Sequence, residues 1–134
     1  MKDKIITSGK RKMAVARAII KEGTGIVKIN KKNYQLLDYF DKLQIEEPLR
    51  IAEKILGGNN FDVDIFVKGG GEKSQVEASR LALAKAIIEF SKSKELRRVY
   101  IDYDRSLLVA DIRRKETYKP GDSKARRKRQ KSYR

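Results

Sequence analysis

The sequence predicts a mixed fold of sheet and helices that carries a basic C-terminal extension. Three observations lead to this prediction. Apolar and polar residues alternate with period two in FDVDIFVK, residues 61–68, which is typical of a half-buried strand. Residues 74–90 carry apolar side chains on two helical stripes, which is typical of a largely buried helix. After Pro120 no apolar pattern repeats, so the last residues have too little apolar surface to fold alone.

The first half of the chain is predicted to hold two strands and a helix. Apolar and β-branched residues near 11–21 and 25–30 flank a Gly-Thr-Gly break at 23–25, which indicates a hairpin. The stretch LQIEEPLRIAEKILGG, residues 43–58, has apolar residues at helical spacing and ends in two glycines. Because proline is favoured in the first turn of a helix, Pro48 indicates a helix of about ten residues.

The second half is predicted to hold a strand, a buried helix and two short apolar stretches. The helix over 74–90 has small residues that let a sheet or another helix approach closely, namely Ala78, Ser79, Ala82 and Ala86. The stretches 99–101 and 107–109 are predicted to pair with the sheet, with a turn between them at 104–106. We expect one folded domain, 1–111, followed by an extension, 112–134.

Charge is the dominant feature of the composition. The chain of 134 residues contains 33 Lys and Arg and 18 Asp and Glu, which gives a net charge of +15. Residues 112–134 alone contain eleven cations and two anions. A polyanion is therefore the expected partner, and the extension is the most basic part of the chain.

Several functional classes are excluded or disfavoured. With no Cys and no His, the chain has no disulfide framework, no Cys/His zinc site and no Ser-His-Asp triad. No apolar run reaches the roughly 18 residues of a membrane span, and the N-terminus lacks the features of a signal peptide. We expect a soluble intracellular protein that is not an enzyme and has no catalytic residue, metal or cofactor.

Two patterns invite a catalytic interpretation that the residues do not support. The string VKGGGEKS resembles a phosphate loop, but GxxxxGK[ST] would need glycine at Val67 and Glu72. A tight turn that touches an RNA phosphate fits Gly69, Gly70 and Gly71 better. The paired carboxylates at 62 and 64, and at 102 and 104, have the spacing of a metal or acid–base pair. They are interpreted as the solvent face of their segments, because no further acidic cluster accompanies them.

Clustered cations indicate an RNA-facing surface. The first predicted hairpin carries Lys10, Arg11, Lys12, Arg17 and Lys21, and Arg80 lies on the helix. Such groups bind phosphates because each neutralised phosphate releases condensed counterions. In the extension, arginine suits bidentate phosphate binding and Tyr118 and Tyr133 suit stacking on bases. Fully extended, the last eleven residues reach on the order of 40 Å.

Three separated blocks resemble one known family. They are TSGKRKMAVARAIIKEGTGIVKIN, VKGGGEKSQVEASRLALAKAI and DRSLLVADIRRKETYKPGDSKARRKRQKSYR. Together they span nearly the whole chain and are similar to the universal ninth protein of the small ribosomal subunit, in its archaeal and eukaryotic branch. The resemblance implies an α+β domain with a mostly antiparallel sheet of four to five strands and two main helices. It further implies the fold of the second domain of ribosomal protein five, with a left-handed βαβ crossover.

The resemblance also implies a function and a set of partners. These are the 16S-type rRNA of the small-subunit head, neighbouring head proteins, and peptidyl-site tRNA reached by the C-terminal tip of a cytoplasmic ribosomal protein. The residues predicted to bind rRNA are Lys10, Arg11, Lys12, Arg17, Gly69, Gly70, Gly71, Arg80, Arg113, Arg114, Lys115, Lys119, Lys124, Arg126, Arg127, Lys128 and Arg129. Those predicted to contact tRNA are Lys131, Ser132, Tyr133 and Arg134.

Two alternatives belong to other functional classes. One is a small phosphotransferase or nucleotide-binding enzyme, since the same general fold occurs among kinases and ATPases. The other is a free DNA-compacting protein. Binding of ATP with Mg²⁺ would distinguish the first, and equal affinity for duplex DNA and rRNA would distinguish the second.

Overall fold

The computed structural model describes residues 4–120, 124–125 and 133–134, and within them a five-stranded sheet packs against helices. The strands are β1 (Ile5–Arg11), β2 (Ala14–Glu22), β3 (Val27–Ile29), β4 (Lys32–Asn33) and β5 (Phe61–Lys68). The helices are α1 (Tyr39–Leu56), which lies between β4 and β5 in sequence, α2 (Glu72–Ser91) and α3 (Lys94–Tyr103). The strand order is β1-β2-β5-β3-β4, and of the strand pairs in the described residues only β3–β5 is parallel. The predicted α+β class with a mostly antiparallel sheet is confirmed.

The hairpin lies elsewhere than predicted. It joins β1 to β2 through Lys12 and Met13, whereas the segments on either side of residues 23–25 do not pair with each other. Strand β5 inserts between β2 and β3 and pairs with both. The 23–25 connection therefore passes over the start of β5, where the N–H of Gly23 donates to the Asn60 carbonyl at 3.2 Å and that of Gly25 to the Phe61 carbonyl at 3.0 Å.

Helix α1 is longer than the predicted ten residues. It spans 18 residues, so Pro48 lies inside the helix and not in its first turn. Proline normally disfavours a helix interior because it lacks an N–H and crowds the preceding turn. Here tertiary packing compensates, since Pro48 is buried together with Ile45, Leu49 and Ala52 on one face of the helix. At the helix start, buried Asp41 accepts a bond from Lys73 Nζ at 2.7 Å, which raises the pKa of Lys73 and joins α1 to α2.

The predicted strand at 99–101 was wrong, because these residues belong to a third helix, α3. Its start is capped by Ser93, whose hydroxyl accepts a bond from the Leu96 N–H at 3.2 Å. Leu96 and Tyr100, four residues apart, are its two buried side chains, and this is helical spacing. The prediction that 107–109 pairs with the sheet was also wrong. A 3-10 turn, Arg105–Leu107, ends at the first of these residues and buries Leu107 in the core. The described residues thus contain three helices and not two.

Small residues allow α2 to lie close against β1 and β2, as the sequence predicted. The inward side chains of β2 begin with Ala14, Ala16 and Ala18, all fully buried, and α2 presents Ala78, Ala82 and Ala86. A Cβ placed on Gly9 of β1 would lie 2.3 Å from the Ala78 carbonyl oxygen. On the same strand the buried hydroxyl of Thr7 donates to the Ala82 carbonyl at 2.8 Å. This close contact leaves the opposite face of the sheet facing outward.

Removing one buried hydroxyl is expected to weaken the contact between α3 and α1. The Tyr100 Oη donates to the Pro48 carbonyl at 2.7 Å, and burial raises the pKa of this phenol. We predict that Tyr100→Phe lowers the free energy of unfolding by about 1 kcal/mol, the usual net value of one intramolecular hydrogen bond. Chemical denaturation measures the change. Tyr103→Phe, at an exposed position on the same helix, is the control, and an equal loss in both variants would contradict the prediction.

Candidate nucleic-acid interface

The tip of the β1–β2 hairpin and the glycine turn after β5 lie against each other. Gly69 and Gly70 have φ values of 78° and 69°, which favour glycine. A Cβ on Gly69 would lie 2.6 Å from the Met13 carbonyl oxygen, and one on Gly70 would lie 3.0 Å from the Ala14 nitrogen. Only glycine fits this contact without movement of the backbone. Two predicted RNA-binding groups, the hairpin cations and the glycine turn, are thereby brought together.

Four exposed cations surround this contact, and we call them the basic end: Lys10, Lys12, Arg17 and Lys68. Lys10 and Lys68 both pair with Val15 in the strand register, from opposite sides. They therefore flank Val15 on one sheet face, two strand spacings or about 10 Å apart. Arg17 lies on the same face, in register with Ser8 and Phe66. Among the described residues, none of the four forms an ion pair, so their charges are available to a polyanion.

The glycine turn leads directly into α2. Gly71 is the residue that precedes the helix, and no side chain caps the free N–H groups of the first turn. The Gln75 amide donates to the Gly69 carbonyl at 3.1 Å, which fixes the turn on the helix. Gly69, Gly70 and Gly71 are all exposed. Their prediction as rRNA-contacting residues stays a prediction.

Arg11 and Arg80 occupy a different environment from the basic end, because both point into the protein. Only 16% of the Arg11 side chain and 14% of the Arg80 side chain is exposed. Strand alternation explains Arg11: residues 5, 7, 9 and 11 of β1 face the helices, whereas Lys10 faces outward. A direct phosphate contact by either arginine would compete with the carboxylates that already face it.

Those carboxylates tie several elements together. Arg11 Nε lies 2.5 Å from Glu77 of α2, and its Nη1 lies 3.2 Å from Asp111 without hydrogen-bond geometry. Arg80 pairs with Glu47 of α1 and, at 3.2 Å, with Asp104 after α3. The two arginines therefore connect β1, α1 and α2 to the start of the extension.

The extension begins in a local cluster around Asp111. Arg113 donates to this carboxylate through its side chain, at 2.7 Å from Nη2, and through its backbone N–H at 2.9 Å. These bonds lower the pKa of Asp111 well below its usual range, and the side-chain bonds from Arg113 have the largest effect. Arg114 donates to the Asp111 carbonyl at 2.8 Å, and Lys115 lies 5.4 Å from the centre of the Tyr118 ring.

The rest of the extension is described only in part. Residues 111–119 form neither helix nor strand, and 112–120 are exposed. Lys119, Lys124, Tyr133 and Arg134 are also exposed. Six predicted RNA-contacting residues lie outside the described part of the chain: Arg126, Arg127, Lys128, Arg129, Lys131 and Ser132.

One carboxylate of each predicted pair has structural partners. Asp62 accepts bonds from the N–H groups of Ile26 and Thr24, at 3.0 and 2.9 Å, and these bonds lower its pKa. For Asp104, desolvation raises the pKa, but hydrogen bonds from Ser106 and Arg80 outweigh it and the net shift is downward.

Within the residues that the structure describes, no three Asp or Glu side chains are grouped as a metal site requires, and no helix has the length and apolarity to cross a membrane.

Sequence reasoning missed Phe66 and Lys68 as members of the basic surface. Alternation in 61–68 does place both on the outward face of β5. The pairing of β5 with β2, which sets them beside Arg17 and Val15, required knowledge of the strand order. The available signal was an outward phenylalanine in a strand whose other outward residues are charged.

Comparison with known proteins gives consistent similarities. The sequence model of a family described as ribosomal protein S9/S16 matches residues 9–134. A protein of Methanococcus vannielii named small ribosomal subunit protein uS9 is 50% identical over 131 residues, covering 96% of this chain and 96% of that protein. A protein of the same name from Thermoplasma volcanium is 46% identical over 133 residues, covering 98% of this chain and 99% of that protein. These similarities include both the folded body and the basic extension.

Proposed function

This chain belongs to the ribosomal protein S9/S16 family, and from that premise we propose that it binds rRNA of the small-subunit head and contacts peptidyl-site tRNA with its last residues. It is a structural constituent of the small ribosomal subunit and not an enzyme. As part of the ribosome it acts in the cytoplasm, next to other proteins of the head.

The rRNA proposal rests on one observation, the contact between the tip of the β1–β2 hairpin and the glycine turn. This contact gathers four exposed cations that have no ion-pair partner among the described residues. Cations of this kind bind phosphates in any sequence, so the mechanism is electrostatic positioning without base reading. Arg11 and Arg80 serve this surface indirectly, since they fix β1 and the start of the extension on the helices.

The extension supplies a second contact. It is exposed at the start, contains eleven cations in residues 112–134, and ends on an arginine. An arm of this composition gains little from packing on its own domain and gains much from neutralising phosphates. The terminal Arg134, with Lys131, Ser132 and Tyr133, is the group that would lie beside tRNA phosphate. A guanidinium suits that position because it binds phosphate in bidentate geometry.

The same premise extends to the fold. We expect the architecture of the second domain of ribosomal protein five, with a left-handed crossover between the parallel strands β3 and β5. The crossover passes through α1, in agreement with a βαβ unit. Residues 1–111 would form the folded domain and 112–134 the extension.

Deleting residues 131–134 is expected to separate tRNA binding from assembly. We predict that the truncated protein folds and enters reconstituted small subunits normally, while peptidyl-site tRNA binds about tenfold more weakly, the loss expected for one or two phosphate contacts at moderate salt. Filter binding of tRNA to the subunits measures the effect. A full-length variant with Lys131→Gln and Arg134→Gln distinguishes charge from length. Unchanged tRNA affinity at low salt would refute the tRNA contact and leave the rRNA proposal untouched.

A further inference from the structure

The outward face of the sheet combines exposed apolar side chains with unpaired cations. Three of its apolar residues are well exposed: Ile6 by 60%, Val15 by 47% and Phe66 by 43%. Phe66 lies in a central strand, because β5 pairs on both edges, and exposed apolar patches with a polar rim mark binding sites. The composition of this face therefore indicates a binding surface.

The strand register places Phe66 among cations. Arg17 is its direct neighbour on β2, and the next row along the strands holds Lys10, Val15 and Lys68. On the other side of Phe66, the next row holds Asp64 in register with Ile19, and the row after it holds Asp62 in register with Lys21. Asp62 is in addition turned to backbone N–H groups of residues 24 and 26. The half of the face from Phe66 toward the hairpin tip is thus apolar and positive, and the carboxylates lie in the other half.

Aromatic rings flanked by cations on an open sheet suit unpaired nucleotides. Single-stranded RNA exposes base faces that stack on aromatic rings while its phosphates bind Lys and Arg. A duplex hides its base faces, and the narrow major groove of A-form RNA does not admit a sheet. A protein partner would bury Ile6, Val15 and Phe66 but would need carboxylates to match three unpaired cations. The positive charge therefore favours RNA.

We propose that the outward face, centred on Phe66, binds an unpaired RNA segment, with one base stacked on the Phe66 ring and adjacent phosphates on Arg17, Lys10 and Lys68. This assignment rests on the proposed rRNA-binding function and specifies the kind of RNA that this part of the surface takes. It differs from purely electrostatic binding because the base itself contributes.

A binding experiment with purified full-length protein tests the stacking. The probes are a fluorescein-labelled octaadenylate RNA and an abasic ribose-phosphate chain of equal length. The wild-type protein is expected to bind octaadenylate more tightly. Phe66→Leu should weaken octaadenylate binding about tenfold, as loss of one base–aromatic stack does, with no change for the abasic chain or in the salt dependence. Phe66→Tyr keeps the ring and should retain affinity.

Controls make the outcomes distinct. Phe40→Leu changes an aromatic residue on α1 that is 74% exposed and lies outside this face, and it should have no effect. Thermal unfolding must show that Phe66→Leu is folded. Equal wild-type affinity for both probes, with head rRNA still bound, would overturn the stacking proposal and keep the proposed function. Failure to bind head rRNA at all would overturn the proposed function itself.

A second measurement identifies the occupant in the ribosome. With p-benzoylphenylalanine in place of Phe66, irradiation of assembled small subunits is expected to cross-link the protein to rRNA. A cross-link to a neighbouring protein instead, or none, would overturn the proposal.

Discussion

Replacing Gly9 by alanine is expected to lower the free energy of unfolding by about 3 kcal/mol, the upper part of the range for overpacked interiors. The added Cβ would lie 2.3 Å from the Ala78 carbonyl oxygen and 2.7 Å from the Ala82 nitrogen. Both are backbone atoms of α2, so no side-chain rotation relieves the clash. Strand β1 would have to move away from the helix and lose the bond from Thr7 to Ala82.

Thermal and denaturant unfolding of purified protein measure this loss. A destabilisation of 3 kcal/mol in a domain of this size lowers the midpoint temperature by roughly 10 °C. Gly58→Ala is the matched control, because the nearest atom to its added Cβ is a side-chain oxygen of Asn60 at 3.8 Å. If Gly9→Ala were no less stable than Gly58→Ala, the close packing of β1 on α2 would be wrong.

Local patterns in the sequence were sufficient to predict the central elements. The period of two in 61–68 gave β5 with its bounds, and the stripes in 74–90 gave α2 to within two residues. Both segments are strongly patterned because one face of β5 and most of α2 are buried along their length. The close packing at Gly9 could also have been predicted, since an isolated glycine within a strand often marks the close approach of another backbone.

Elements whose identity depends on distant partners were predicted less well. Three consecutive apolar residues at 99–101 suggested a strand, yet the Ser93 cap and the burial of Leu96 and Tyr100 make α3 a helix. The insertion of β5 between β2 and β3 is a non-local pairing, which no local turn signal encodes. The prediction that Pro48 lies in the first turn of its helix failed for the same reason. Packing against α3 compensates for a proline inside α1.

The candidate interface could be predicted in composition but not in arrangement. Lys10, Arg11 and Lys12 look equivalent in the sequence, but alternation of side chains along β1 turns Arg11 inward to Glu77 and leaves Lys10 exposed. Arg80, which looks like a surface cation of α2, is held by Glu47 and Asp104 from two other elements. Charge counts identify the kind of partner, and the tertiary fold decides which cations can reach it.

Removing three exposed charges of the basic end is expected to have the largest effect on RNA binding. We predict that Lys10→Gln, Lys12→Gln and Arg17→Gln combined weaken binding to a head rRNA fragment on the order of 10²-fold at moderate salt. The slope of log affinity against log salt should become shallower by about 2 to 3, because each lost phosphate contact removes about 0.7 to 0.9. Titrations at several salt concentrations measure both quantities.

A charge-matched variant shows whether position or net charge matters. Lys54→Gln, Lys92→Gln and Lys94→Gln remove the same charge from exposed sites near the end of α1, directly after α2 and at the start of α3. Because surface charges farther apart than a Debye length of about 8 to 10 Å are largely screened, this control should retain nearly all affinity and slope. Equal losses in both variants would mean that rRNA responds only to total charge. The hairpin tip and glycine turn would then have no special part in docking the folded domain.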